Sequence, residues 1–342
     1  MKKITTLLIL IYIGISAYPQ YKKYSFQQPK MGSLFNIVLY SEDSLAAARA
    51  AAAAYRLVDT LNTIYSDYLP DSELNSVCDK SGNGEWIKIS EPLFTILQTA
   101  LKASEISDGS FDVTMGPVIR LWRKARKEKR LPDNDSIHAA RLKVGFRFIK
   151  LDTIQQAIRL QKKGMQIDLG GIAQGETAKR MYARLSELGF PHALVDAAGD
   201  IMAGTTPAAV DGWRIGINLP VSAELMEQKL LLKTTAVTTS GDLYQYLELN
   251  GKRYSHIIDP RTGHALTESR NVTVIADDGT RADWLTKACS ILPLQKALKL
   301  IMQFPGTEVQ IAMLQKGKPI FYRSPRFHAY FDPQKSPGSV NK

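Results

Sequence analysis

The spacing of apolar residues changes period along the chain, and each change predicts an element. Residues 44–66 open with an alanine block. They then set Leu57, Leu61 and Ile64 at intervals of four and three, the stripe of an amphipathic helix. Further helices are predicted over 92–106, with Pro92 in the first turn, and from the Asp133-Asn134-Asp135-Ser136 cap to 143. Two more cover 176–188, closed by Gly189, and 282–304, the latter as one helix or a pair. β-Branched and aromatic runs predict strands at 31–40, 146–151, 157–160, 166–169, 193–196, 213–218, 230–235, 236–240, 243–249, 271–276, 309–314 and 319–322. Strands grouped apart from helices, without strict β-α-β alternation, indicate an α+β fold. No repeat or Gly/Ser linker divides the chain. One large domain with mixed or antiparallel sheets and flanking helices is expected over 27–325, with a C-terminal tail at 326–342. The length leaves room for two lobes.

The first 20 residues break this pattern. Lys2 and Lys3 precede an apolar run from Leu7 to Ile15, followed by Ser16-Ala17. This is the layout of a secretory signal, with cleavage after Ala17 or Gln20. The run is shorter than the ~20 residues of a spanning helix; an uncleaved N-terminal anchor is the alternative. No cysteine follows for lipid attachment. Either way the fold is expected outside the cytosol.

The 342 residues are 44% apolar and 23% charged, which excludes a disordered, collagen-like or coiled-coil chain. Two cysteines exclude a disulfide framework, a four-cysteine zinc site and an iron–sulfur cluster. Cys78 and Cys289 either pair or remain two buried thiols. The formal charge is +11, about +9 without the first 20 residues. Its densest run, Arg120 to Arg130, is of a kind that docks nucleic acid or an acidic membrane surface. Only Trp122 is aromatic there, so a solvated helix end is expected and no nucleic-acid partner.

Four segments are denser in Gly, Asp, Ser, Thr and His than packing requires. The first is S-D-G-S-F-D-V-T-M-G-P from Ser107 to Pro117. The second, D-L-G-G-I-A-Q-G from Asp168, follows a predicted strand and opens a helix. Its glycines let a ligand approach the backbone, where helix N–H groups hold phosphate. It matches neither G-x-G-x-x-G nor a Walker loop, and a tight strand-to-helix turn explains it equally. The third joins T-T-S-G-D at Thr238 to Y-S-H-I-I-D-P-R-T-G at Tyr254, where a strand delivers His256 ahead of a turn. The fourth joins Asp277-Asp278-Gly279 to Ala282-Asp283-Trp284-Leu285-Thr286-Lys287-Ala288. Asp283 reads either as a helix-end charge or as an oxygen ligand for a hard cation.

In this order the four segments resemble the ApbE family of FAD:protein FMN transferases. The resemblance extends to M-G-S at Met31, Y-S-D-Y-L-P-D-S-E-L-N at Tyr65, Leu121-Trp122 and A-G-D-I at Ala198. It implies FAD as substrate, magnesium as cofactor, and a site in the periplasm or on the outer face of the inner membrane. It implies transfer of FMN to a Ser or Thr hydroxyl of an exported or membrane acceptor protein, with release of AMP. Met31, Tyr68, Ser110, Phe111, Asp112 and Asp168 fall on family flavin positions, with Gln174 and Ile257 beside them. Gly171, through its carbonyl, and Asp283 fall on metal positions. His256 is expected as general base or hydroxyl-orienting group, with Asp259 as its partner.

The chain departs from the family at several points. Gln174 replaces a usual Lys, Lys179 a frequent Asp, and Ala198 a Gly. Lys287 stands where a hydroxyl ligand is expected, with Thr286 one place early. One residue is a rotation of about 100° on a helix. The expectation is that Thr286 serves as the ligand, that Lys287 points away, and that Mg2+ is retained. A family member that binds or hydrolyses FAD without transferring FMN is the alternative.

Overall fold

The structure, a computed structural model, describes residues 21–221, 224–241, 246–268, 270–315 and 318–333. The expected signal segment and the end of the tail lie outside the described residues. In chain order the elements are β1 (Lys22–Lys30), β2 (Ser33–Ser41), α1 (Ser44–Tyr65), α2 (Glu73–Asp79), β3 (Ile87–Lys88), α3 (Glu91–Ile106), α4 (Gly116–Glu128) and α5 (Asn134–Arg141). Next come β4 (Ile149–Asp152), β5 (Ala157–Leu160), α6 (Ala173–Glu187), β6 (Ala193–Ala197), β7 (Asp200–Ala203), β8 (Trp213–Val221) and β9 (Glu224–Leu232). The rest are β10 (Thr235–Gly241), β11 (Tyr246–Leu249), β12 (Lys252–Ser255), β13 (Arg270–Ala276), α7 (Gly279–Ile291), α8 (Leu294–Ile301), β14 (Glu308–Gln315) and β15 (Lys318–Arg323).

The centre is an eight-stranded sheet in the order β1-β2-β6-β7-β10-β13-β14-β15, antiparallel at every pairing. This is the expected α+β domain. Both faces of the sheet are covered. Ala236, Val272, Val274 and Ala276 pack into the larger core with α1, α6 and α7, while Val237 and Ile275 point oppositely, onto the β8–β9 hairpin. Burial on both sides is why every residue of 271–276 is buried, the polar Asn271 and Thr273 included.

Several expected elements differ. Met31 and Gly32 do not begin a strand: both have positive φ, 49° and 72°, and form the two-residue turn of the β1–β2 hairpin. β1 therefore begins upstream of residue 27. Residues 166–169 form only a parallel bridge, Gln166 to Met115. The tail is packed as far as the described residues run. Phe327 is fully buried against the β8–β9 hairpin, and Asp332 is buried against Arg214. Cys78 and Cys289 are separate, free and buried.

Candidate functional site

A cavity of about 810 Å3 opens where the four motif segments converge. Backbone pairing joins the first two: the Asp168 N–H donates to the Val113 carbonyl at 2.8 Å, beside the Met115–Gln166 bridge. The third is hung on α4, because the Trp122 indole donates to the Gly263 carbonyl at 2.9 Å. That anchors the hairpin that carries His256 at the cavity wall. Ile258 on the same hairpin packs with Val118, Trp122 and Ile137.

Met31, Tyr68, Ser110, Phe111, Asp112, Asp168, Gly171, Gln174, His256 and Ile257 all line the cavity. Their surroundings distinguish their roles. Ser110 is buried and donates to the Ser107 carbonyl. Asp112 accepts from the Thr114 N–H and hydroxyl and from the Phe146 N–H, so its carboxylate braces the loop. Asp168 accepts the Gly170 N–H at 2.8 Å through one oxygen and Arg123 at 2.6 Å through the other. Burial, and then Asp67, push its carboxyl up, against the pull of Arg123. Tyr68 stands exposed at the rim with the Arg123 guanidinium 4.3 Å from its ring centre, a cation–π distance. Asp259 does not line the cavity. Both its carboxylate oxygens are engaged by Arg261.

Lys124 and residues 127–130 are exposed, as expected of a solvated helix end, but Arg123 and Arg126 depart from that reading. Met115, Ile119, Arg123 and Arg126 follow one another at intervals of four, four and three. They form the α4 stripe that faces the cavity, while Val118, Trp122 and Ala125 form the buried one. Arg123 bridges Asp67 and Asp168. Arg126 lines the same wall and has no carboxylate partner among the described residues. The sequence signal was available: the basic residues lie at helical spacing opposite an apolar face.

Behind the cavity, α6 and α7 cross at glycines. A Cβ on Gly175 would lie 2.2 Å from the Gly279 carbonyl oxygen and 2.7 Å from Asp283 Cβ. Gly175 therefore serves the helix crossing. The crossing in turn brings the Gly175 N–H to Asp283 Oδ2 at 3.1 Å. Asp283 and Thr286 are buried and do not line the cavity; Lys287 does. Its Nζ lies 3.3 Å from Asp283 Oδ1 and 3.2 Å from Thr286 Oγ1, whose hydroxyl donates to the Asp283 carbonyl. The expectation that Lys287 points away is thus overturned. As residue i+4 on the same helix face it reaches the buried Asp283 carboxylate. Asp200, on β7, is buried nearby and accepts the Thr238 hydroxyl at 2.7 Å. Burial and then Asp283 push its carboxyl well up, with Lys287 opposing.

This arrangement does not fit the magnesium ion that the resemblance implies. Magnesium takes oxygen ligands at ~2.0–2.1 Å in near-octahedral geometry. Two of the three expected protein oxygens already face an ammonium.

Residues 31–311 match the model of the ApbE family. The chain belongs to the ApbE family. It is 28% identical over 305 residues to a Klebsiella pneumoniae protein named FAD:protein FMN transferase, covering 89% of this chain and 92% of that protein. It is 29% identical to a Treponema pallidum protein of the same name, covering 84% and 83%. Among solved structures, the apo flavinyl transferase ApbE of Pseudomonas stutzeri superposes with a TM-score of 0.80 at 26% identity. That likeness covers 91% of this chain and 97% of that one. The ApbE protein of Thermotoga maritima gives 0.80 at 27% identity, covering 91% and 100%.

Proposed function

We propose that this chain is an FAD:protein FMN transferase. The observation that carries the reading is the convergence of the four ApbE segments on one cavity of a size suited to a small-molecule ligand. Family membership over residues 31–311 supports it. FAD is the substrate. The acceptor is an exported or membrane protein with a Ser or Thr hydroxyl. The hydroxyl oxygen bonds to the FMN-side phosphorus, the bond from that phosphorus to the bridging oxygen breaks, and AMP leaves.

The residues divide the work by chemistry. Tyr68 and Phe111 offer aromatic faces to the isoalloxazine ring, and Asp168 accepts an N–H or O–H of the flavin half. Arg126 and Lys287 supply positive charge for the diphosphate, electrostatic positioning being the main demand of phosphoryl-type transfer. His256 holds or takes the proton of the attacking hydroxyl. The basic and apolar pattern of the first 17 residues supports a place outside the cytosol, in the periplasm or on the outer face of the inner membrane.

A second reading, FAD binding or hydrolysis without transfer, draws on the same departure at Lys287. Incubating the protein with FAD and a Ser/Thr acceptor peptide separates the two by intact mass. Transfer adds one FMN less one water to the peptide; hydrolysis releases AMP and leaves the peptide mass unchanged.

A further inference from the structure

We propose that the Lys287 ammonium is a built-in replacement for the divalent cation of this site, so that the chain engages the FAD diphosphate without a metal. The inference rests on the flavin reading above and concerns which positive charge meets the diphosphate. Three observations carry it.

The first is position. Lys287 lies one helical turn after Asp283, and its Nζ stands 3.3 Å from one oxygen of that carboxylate and 3.2 Å from the Thr286 hydroxyl. A metal bound to those two oxygens would share them with a fixed positive charge. The second is that the lysine is built in. Its stem crosses Gly171: a Cβ there would meet Lys287 Cγ at 3.1 Å and Cε at 3.8 Å. Any larger residue at 171 would push the stem aside. The third is that the ammonium has a free side. Asp283 is 1% exposed at its side chain, but Lys287 is 21% exposed and lines the cavity. An ammonium has three donors around a compact charge. Thr286 takes one donor, Asp283 Oδ1 lies beside the charge as an ion pair, and the rest faces the cavity, where a diphosphate oxygen accepts.

Neutral donors serve part of the acidic pocket. Asp283 gives its other oxygen to the Gly175 N–H, and the second buried carboxylate, Asp200, is served by the Thr238 hydroxyl. Lys287 is thus the cation that faces Asp283 Oδ1, a buried oxygen with no hydrogen-bond partner of its own. A buried carboxylate must be paired. Here the pairing comes from the chain.

Two measurements test this with wild type, Lys287→Thr and Lys287→Arg, each checked for folding by thermal melting. The first follows Mn2+ binding by electron paramagnetic resonance without flavin. Wild type and Lys287→Arg should show no stoichiometric site, and Lys287→Thr should gain one. The second titrates FAD by flavin fluorescence in EDTA and in Mg2+. Wild type should bind equally in both. Lys287→Thr should lose about tenfold or more in EDTA, the scale of one charged contact, and recover in Mg2+. Stoichiometric Mn2+ binding by wild type, or a need for Mg2+ to bind FAD, overturns the inference. So does a Lys287→Thr protein that binds FAD in EDTA as well as wild type. Failure of every variant to bind FAD in either buffer overturns the flavin reading, while the Mn2+ measurement still decides the exclusion of metal by Lys287.

Discussion

Arg123 of α4 and Asp168 of the 168–175 loop meet at 2.6 Å, and the same guanidinium pairs with Asp67 and lies 4.3 Å under the Tyr68 ring centre. One side chain thus ties three walls of the cavity together. Removing it leaves two buried or half-buried carboxylates unpaired, a loss typically of ~3–5 kcal/mol. Its 22% exposure puts the effect at the lower end. Arg123→Ala should lower the melting temperature and also weaken FAD binding, because Asp168 loses its orientation. A melting curve and an FAD titration check both; a variant unchanged in either would remove Arg123 from its bracing role.

Asp168→Ala should keep the fold but lose flavin. A buried acceptor toward the ligand disappears, which costs about 1–3 kcal/mol of binding. Flavin fluorescence titration measures it, and unchanged affinity would place the ligand elsewhere.

His256→Ala should bind FAD normally and transfer FMN more slowly, by about 10²–10⁴-fold, the usual contribution of a positioned proton acceptor. Single-turnover transfer with saturating FAD separates this from a binding role. Loss of affinity at unchanged rate would make His256 a ligand contact.

Both thiols hold their protons in the fold: burial pushes Cys78 up to about 11 and Cys289 up to about 12, from 9.0. The folded state therefore binds more protons than the unfolded state above pH 9, and stability falls as pH rises. The contribution is complete below pH 9 and is lost toward pH 11 for Cys78 and pH 12 for Cys289. Each group adds at most about 1.4 kcal/mol per pH unit. Cys289→Ala should show a shallower alkaline fall in melting temperature than wild type, and equal slopes would refute the assignment. Neither thiol should react with a disulfide reagent at neutral pH until the protein unfolds.

Gly175→Ala should separate α6 from α7. Its Cβ would stand 2.2 Å from the Gly279 carbonyl oxygen, and backbone cannot yield as a side-chain tip does. Overpacking of this kind costs about 1–3 kcal/mol or more. It would also draw the Gly175 N–H off Asp283. A destabilised protein with weakened FAD binding is expected, and a neutral substitution would contradict the crossing geometry.

The sequence carried the long periodic elements well. The stripe at Leu57, Leu61 and Ile64 became α1, and 236–240 and 271–276 became adjacent strands of the central sheet. What escaped was set by tertiary contact. β7 is only four residues long and follows a tight turn at Ala198-Gly199, both with positive φ, so its pattern is too short to read. Residues 166–169 look like a strand because they are apolar, but they pair by a single bridge and then turn toward the ligand cavity. Arg123 lies inside a charge run, where composition alone masks the face and only the spacing from Met115 and Ile119 marks it. The reach of Lys287 was not legible either, since a flexible side chain takes whichever counter-charge is buried beside it. The motif segments were legible as a group, because Gly, Asp and His at fixed offsets exceed what the periodic elements call for, and the structure brings all four segments to one cavity.

The central claim is that this cavity moves FMN from FAD to a protein hydroxyl. The most direct measurement incubates the protein with FAD and a Ser/Thr acceptor, in EDTA and in Mg2+, and follows the acceptor mass and released AMP together. The account predicts one AMP for each acceptor that gains FMN less water, and the same yield in both buffers. AMP without acceptor mass gain, or neither product while FAD stays bound, would contradict it.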